Sequence, residues 1–193
     1  EENPQFVSPV IYISPTEHSR NVLFLDEILD TPLMYQEMIN ILKDFDSDIL
    51  SINKTVTNNH SYYVILSTKY NKALPLNMYG DGMKKAILLM SAVVAAKNGV
   101  LLIDEFETAI HTSAMDKIFA WILKTCKKLN VQLFMTTHSK EALQKVIALD
   151  SDPELKDEIT LFTLYRRDGK NIARKLSAER AIEADESFNQ ELR

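Results

Sequence analysis

Four consecutive apolar residues, Val100-Leu101-Leu102-Ile103, end abruptly at Asp104-Glu105. A continuous apolar run of this length is typical of a central strand in a parallel sheet, which is covered on both faces. The segment before it, 83–97, is apolar on nearly every face beyond Lys85 and indicates a helix that is buried all round. A chain with these two segments is therefore expected to build a layered fold in which helices cover a sheet.

The segments that follow repeat this alternation. An amphipathic helix is predicted over 113–129 and a second buried strand over 131–135, and Ser139 caps a further helix. The order helix, strand, helix, strand, helix predicts an α/β fold with a mostly parallel sheet flanked by helices. We interpret 1–193 as one domain with a motif-bearing core at 74–143. The other expected elements are strands at 10–14, 49–57, 62–68, 158–166 and 171–175, a helix from Thr31-Pro32 and a terminal helix from Ser177.

Composition argues against several classes of protein. The single cysteine, Cys126, cannot form an intramolecular disulfide, which fits a reducing, cytoplasmic compartment. Every apolar stretch is too short to cross a bilayer, so we expect no membrane partner. The formal net charge of −5 gives no overall basic surface for nucleic acid, and the sequence does not decide whether a local patch contacts DNA.

Asp104 and Glu105 follow the predicted strand at its carboxyl end, where α/β proteins bind their ligands. An aspartate there can hold Mg²⁺, directly or through water, and the adjacent glutamate can polarise a water for attack on a terminal phosphate. Taken alone, the pair fits equally a strand that simply leaves the core. The functional interpretation therefore depends on what else reaches the same edge.

The second buried strand ends in Thr136-Thr137-His138-Ser139. In a parallel sheet this ending brings His138 to the same edge as Glu105. A neutral imidazole at that edge can contact a γ-phosphate or position the attacking water. Without the acid pair, a lone histidine is more simply explained as a surface or core residue.

A glycine turn, Gly80-Asp81-Gly82, precedes the buried helix. Its glycines leave backbone N–H groups open to a ligand, and the helix N-terminus adds positive potential that favours an anion. Taken alone, this turn is an ordinary helix start.

The order and context of these motifs resemble the C-terminal lobe of ABC-type ATPases, in particular the SMC, RecF and OLD-like AAA ATPase group. The resemblance implies a P-loop NTPase-type fold in which Gly80-Asp81-Gly82 is the signature loop and Asp104-Glu105 is the Walker B pair. It identifies His138 as the switch histidine. Thr108 to His111 falls at the position of the D-loop, so the resemblance implies that His111 contacts nucleotide.

The same resemblance implies ATP and Mg²⁺ as cofactors, with Asp104 as the metal ligand and Glu105 and His138 as catalytic residues. The chain departs from the family pattern in its signature loop. Gly80 stands where a serine is usual and has no hydroxyl for the γ-phosphate, and Asp81 stands where a glycine is commoner. Near the acid pair, Phe106 replaces a frequent proline and His111 a frequent aspartate, as in the OLD-like branch more than in transporters.

The G-x-x-x-x-G-K-[ST] pattern of a P-loop does not occur among the 193 residues. In ABC-type ATPases the P-loop lies in the N-terminal lobe, so we expect an upstream segment outside this chain to supply it. A module that naturally lacks a P-loop is the rival hypothesis. The isolated chain is expected to be inactive.

The sequence therefore predicts the ATP-binding and ATP-hydrolysing lobe of an OLD- or SMC-like ATPase that works as a homodimer with ATP between two copies. The alternative is a nucleotide-gated clamp or interaction module with little hydrolysis, which the unusual signature loop favours. OLD-like ATPases often accompany nuclease or toxin effectors, so the resemblance also implies such a partner. A plain α/β interaction domain with coincidental motifs is the third interpretation.

Overall fold

The computed structural model describes residues 8–20, 24–57, 59–70, 72–167, 169–177 and 180–181. The chain divides into two compact units, Glu1–Met135 and Thr136–Arg193. The boundary between them falls inside the predicted motif-bearing core, 74–143, and the single-domain interpretation of 1–193 stays a prediction. Among the described residues, no helix combines the length and apolar character needed to cross a membrane.

The first unit alternates helices and strands, as the sequence predicted. Its elements are β1 (Val10–Ile13), α1 (Leu25–Leu29), α2 (Pro32–Leu42), β2 (Ile49–Thr57), β3 (His60–Ser67), β4 (Leu74–Pro75), α3 (Asp81–Ala95), β5 (Val100–Ile103), α4 (Thr112–Lys128) and β6 (Gln132–Met135). Short 3-10 turns at Glu17–Arg20 and Leu76–Met78 complete it.

A parallel sheet with the strand order β1–β5–β6 forms the centre of the first unit. Both pairings are parallel and in register, so Ile13, Ile103 and Met135 end their strands side by side. The observed sheet confirms the predicted α/β fold with parallel strands and helices. Because the carboxyl ends of parallel strands share one edge, the polar residues that follow β5 begin at that edge.

Helix α3 is buried over most of its length, as its uniform apolar pattern predicted. It packs against α1, α2 and α4. Every residue from Ala86 to Val94 is buried, including Ser91, whose hydroxyl donates to the carbonyl oxygen of Leu88 at 3.1 Å. The amphipathic helix α4 buries its predicted apolar stripe, and Phe119 contacts Phe106 edge to face.

A separate antiparallel sheet with the order β2–β3–β4 confirms the strands predicted at 49–57 and 62–68 and pairs them as a hairpin. Strand β3 begins at His60, two residues earlier than predicted, because antiparallel pairing continues to the Thr57–His60 pair beside the turn. Tyr35 of α2 anchors this sheet. Its hydroxyl donates to the carbonyl oxygen of Ile52 at 3.0 Å and accepts the N–H of the same residue at 2.9 Å.

The second unit contains α5 (Lys140–Ala148) and an antiparallel hairpin of β7 (Thr160–Arg167) and β8 (Lys170–Ser177). The predicted strands at 158–166 and 171–175 are confirmed with slightly different ends. Ile147, Leu176 and Ala181 form a small apolar core, against which Leu143, Ile159 and Leu161 pack. Most of the terminal helix predicted from Ser177 lies outside the described residues.

Candidate functional site

The acid pair begins where β5 ends. The backbone N–H of Asp104 still donates to the carbonyl oxygen of Ile13, at 3.0 Å, so Asp104 remains attached to the sheet. The chain turns sharply at the next residue, because Glu105 has a φ of 45°. This left-handed conformation is uncommon for a residue with a side chain, and such strain concentrates at functional sites. Glu105 thus leaves the sheet in a conformation that its surroundings must hold.

The residues after Glu105 form two consecutive tight turns. The N–H of Thr108 donates to the carbonyl oxygen of Glu105, and the N–H of Ile110 donates to that of Glu107, both at 3.0 Å. The Thr108 hydroxyl also reaches the Glu105 carboxylate, with its Oγ1 at 3.4 Å from Oε2. Ala109 has a φ of 69°, a second left-handed residue within this segment. Segment 104–110 is therefore a folded loop with two backbone turns and one side-chain hydrogen bond of its own.

The glycine turn forms the start of α3 and touches this loop. Gly80 is the N-cap of the helix, with a φ of −64°, and Asp81 is its first residue. Asp81 pairs with Lys84 at 2.6 Å, and this hydrogen bond lowers the pKa of the Asp81 carboxyl. A Cβ atom added to Gly82 would lie 2.9 Å from the carbonyl oxygen of Ala109. The structure therefore brings the glycine turn and the loop after the acid pair into contact.

His111 caps helix α4, a role that the sequence did not reveal. Its Nδ1 accepts the backbone N–H of Ser113 at 3.3 Å and lies 2.9 Å from the Ser113 hydroxyl. The signal was present, because His111 stands two residues before the predicted start of the amphipathic helix, close to the N-cap position. A contact between His111 and nucleotide stays a prediction.

His138 follows β6, three residues beyond Met135, which pairs with Ile103 in the sheet. Its neighbours form the start of α5, as predicted: Ser139 accepts the N–H of Ala142 on its hydroxyl at 3.2 Å. His138 belongs to the second compact unit, whereas the acid pair belongs to the first. The convergence of its ring with Glu105 stays a prediction.

Lys85 is a buried cation that the sequence reasoning missed. Its side chain on α3 is 0% exposed, and its Nζ donates to the carbonyl oxygen of Pro15 at 3.3 Å. Burial lowers the pKa of Lys85, and the carboxylates of Glu107, Asp104 and Glu105 oppose that effect. The available signal was one lysine at the start of an otherwise apolar helix.

His18 is a second buried titratable residue of the first unit. It is buried in the 3-10 turn after β1, and its Nδ1 is a buried atom without a hydrogen-bond partner. Burial, and then the positive charge of Lys85, lower the pKa of the His18 imidazole. The Oε2 atom of Glu107 is also buried without a hydrogen-bond partner. The imidazole of His18 and the carboxylate of Glu107 thus add two further polar groups with buried atoms to the first unit.

The carboxylates at the end of β5 suit an Mg²⁺ ion that is bound together with a nucleotide better than a metal site made of protein ligands alone. Within the described part of the chain, no three His, Cys, Asp or Glu residues group closely enough to hold a metal ion. Mg²⁺ usually keeps several waters and takes one or two carboxylates together with phosphate oxygens. Asp104, at the end of β5, could supply one such carboxylate.

The fold is similar to that of SMC ATPase heads. One similar structure comes from work on "ATP-driven dimerization and DNA stimulated activation of SMC ATPases"; it has a TM-score of 0.54 and 13% identity over 87% of this chain and 98% of that one. An Smc head domain with a coiled coil and joint from Pyrococcus yayanosii also has a TM-score of 0.54, with 12% identity over 81% of this chain and 29% of that one.

The chain belongs to the family described as "AAA domain, putative AbiEii toxin, Type IV TA system", whose model matches residues 14–143. A Helicobacter pylori protein named ATP/GTP phosphatase is 28% identical over 158 residues, which are 80% of this chain but only 42% of that protein. An uncharacterized protein of Methanocaldococcus jannaschii is 32% identical over 115 residues, 59% of this chain and 98% of that protein. The family assignment identifies residues 14–143 as an AAA domain.

Proposed function

We propose that this chain is the lobe of an ATPase that carries the signature loop, the Walker B acid pair and the switch histidine. The observation that carries the proposal is the contact of Gly82 with Ala109. It joins the N-terminus of a buried helix to the loop that begins with the strained Glu105, at the carboxyl edge of a parallel sheet. Ligand sites in parallel α/β folds occur at this edge.

In this proposal Asp104 holds Mg²⁺ and Glu105 is the general base. Mg²⁺, when bound, would neutralise charge on the β- and γ-phosphates of ATP. Asp104 is fixed by its backbone bond to β1, so its carboxylate projects from a rigid element. Thr108 limits the motion of the Glu105 carboxylate through its hydroxyl, which favours one orientation towards an attacking water.

The glycine turn would bind ATP held by a second copy of the chain. A Cβ atom added to Gly80 would meet no atom within 4 Å, so the turn has open space on its outer side. Backbone N–H groups at the start of α3 suit an anion. The ATP-driven dimerization of the SMC ATPase, as its description states, supports this arrangement. The P-loop would be supplied from outside this chain, and His138 would sense the γ-phosphate.

The second candidate function is a nucleotide-gated clamp with little hydrolysis. Gly80 has no hydroxyl, and Asp81 already pairs with Lys84 of its own helix, so the turn offers few side-chain contacts to a phosphate. A toxin or nuclease effector would then be the partner that the clamp controls. The family description, which names a putative toxin, supports a partner of this kind.

The deciding experiment is Glu105→Gln in the complete protein. We expect ATP binding to be kept, phosphate release to fall by about 10²-fold or more, and the nucleotide-bound dimer to persist for longer. Glu154→Gln, which removes an exposed carboxylate of the second unit, is the matched control. Near wild-type turnover in Glu105→Gln would remove its role as base. Tight ATP binding without phosphate release in the wild-type protein would favour the clamp.

A further inference from the structure

Lys85 carries its charge in a buried, largely apolar environment. It is 0% exposed on a helix that is otherwise apolar from Ala86 to Val94 apart from Ser91. Burying an ammonium group is costly unless opposite charge and hydrogen bonds compensate it. The carbonyl oxygen of Pro15, at 3.3 Å from its Nζ, supplies part of that compensation. A lysine at this position therefore needs a partner of opposite charge.

The carboxylate of Glu107 is the strongest source of compensating negative charge. It opposes the effect of burial on the Lys85 pKa more than Asp104 or Glu105 does. Its Oε2 atom is buried and makes no hydrogen bond among the described residues. A buried cation on α3 and a buried carboxylate oxygen without a hydrogen-bond partner thus belong to two segments that meet at Gly82 and Ala109.

Helical spacing connects this charge pair to the glycine turn. Residues 82 and 85 are three apart on α3, so Gly82 and Lys85 lie on the same face of the helix. Gly82 meets the carbonyl oxygen of Ala109, and Glu107, two residues earlier in the same loop, supplies the negative charge that most opposes the effect of burial on the Lys85 pKa. One steric contact and one electrostatic attraction therefore join α3 to segment 104–110.

The burial and the hydrogen bond of Lys85 argue against a role as a freely moving cation. His18 is buried next to it, and Lys84 is engaged by Asp81. The carbonyl oxygen of Pro15, directly after β1, fixes the Lys85 Nζ from that side. Lys85 is consequently held between the end of β1 and the acidic loop.

We propose that Lys85 is a positioning residue that couples the glycine turn to the acid pair through its buried charge opposite Glu107. The kinetic part of this inference rests on the proposed ATPase function, whereas the charge coupling itself does not. Lys85 has no access to a ligand, so it acts on turnover only by holding the loop that contains Asp104 and Glu105.

The charge coupling is tested by a double-mutant cycle in urea with Lys85→Met, Glu107→Gln and the double variant. We expect the single changes to be strongly non-additive, with unfolding constants that differ from additivity by about tenfold or more. The exposed pair of Lys117 with Asp44, at 2.7 Å, is the matched control, and Lys117→Met with Asp44→Asn should be nearly additive. An additive Lys85–Glu107 cycle would overturn the coupling whatever the protein's activity.

The positioning role is tested by steady-state kinetics of the complete protein. We expect Lys85→Met to lower kcat by about tenfold while KM for ATP changes less than about twofold, because the base is displaced but the nucleotide contacts remain. Lys85→Arg keeps the charge, so its kcat should be close to that of the wild type. The same variant tests the role of the charge if Lys85→Met folds poorly. Equal impairment of both variants, or wild-type kcat in Lys85→Met, would reject the role. A wild-type protein without turnover would instead reject the proposed ATPase, and the cycle would still decide the coupling.

Discussion

The carbonyl oxygen of Ala109 approaches Gly82 so closely that a Cβ atom on the glycine would lie 2.9 Å away. Real Cβ atoms do not approach a backbone oxygen to this distance without displacement of one segment. Gly82 is also in ordinary helical backbone, so its missing side chain, rather than an unusual φ, explains the requirement for glycine. The start of α3 and the loop after the acid pair are therefore in direct contact.

Gly82→Ala should destabilise the chain in spite of a better helix propensity. Alanine gains up to about 1 kcal/mol in a helix, but the displaced backbone of the loop is expected to cost about 1–3 kcal/mol. The free energy of unfolding in urea should fall, with an unchanged denaturant slope. If the midpoint is equal to or higher than that of the wild type, the close approach does not constrain position 82.

Gly80→Ser is the control for that experiment. Gly80 has a negative φ and open space around the Cβ position, and serine is a favourable N-cap residue. Its free energy of unfolding should stay within about 0.5 kcal/mol of the wild type. The two glycines of one motif are thus expected to behave differently.

His111→Ala should lower stability through loss of the α4 cap. The Nδ1 atom accepts the Ser113 N–H, and losing such a bond costs about 0.5–2 kcal/mol. His111→Asn keeps a side-chain acceptor and should restore most of the thermal midpoint. If ATP affinity in the complete protein also recovers with asparagine, the cap explains the position. If affinity stays low while stability recovers, His111 contacts nucleotide as well.

Apolar periodicity was sufficient to predict the central elements of the first unit. The predicted strand at Val100–Ile103 is confirmed residue for residue, and the ends of α3 and α4 differ by one or two residues. These segments are predictable because the spacing of their own apolar residues indicates which positions are buried. Strand β3 began earlier than predicted because its end depends on pairing with β2, which local pattern does not report.

The candidate site was only partly predictable for a physical reason. Strand order and direction brought Asp104 and Glu105 to a sheet edge, but the φ of Glu105 depends on the loop that follows and its contact with α3. The burial of Lys85 was not predicted, because lysine is rarely buried. Its burial comes from tertiary contacts with the end of β1 and with the acidic loop.

The buried His18 should make the chain less stable in mild acid. Its pKa is lowered from 6.5 by burial, then by Lys85, with Lys84 acting in the same direction and Asp81 against it. Because the folded state binds this proton more weakly than the unfolded state, the stability is fully present above the unfolded pKa. It is lost as the pH falls below that value towards the folded pKa. Urea unfolding at about pH 7.5 and about pH 5.5 measures the difference.

His18→Gln isolates the contribution of His18 to that pH dependence. Glutamine does not titrate, so the variant should lose less stability than the wild type on the same acidification. The exposed His60 provides the control, and His60→Gln should retain the wild-type dependence. An identical acid loss in His18→Gln and in the wild type would assign the effect to other groups.

The left-handed backbone of Glu105 should lower stability, while its carboxylate serves the proposed ATPase reaction. With a φ of 45° it carries left-handed strain of about 1 kcal/mol or more, which alanine at this position would keep and glycine would relieve. We expect Glu105→Gly to be more stable in urea than Glu105→Ala by about 1 kcal/mol, after allowance for the greater flexibility of unfolded glycine. Both variants should lack turnover in the complete protein, since both lack the carboxylate.

Ala109→Gly separates the strain of the loop from the chemistry of Glu105. Ala109 has a φ of 69° in the same loop and carries no functional group, so glycine there relieves strain without removing a carboxylate. Its stability should be equal to or greater than that of the wild type, and its turnover should be kept. If Glu105→Gly and Glu105→Ala unfold at the same urea concentration, position 105 is not strained. If Glu105→Gly and Glu105→Ala both keep turnover, the carboxylate of Glu105 is not the base.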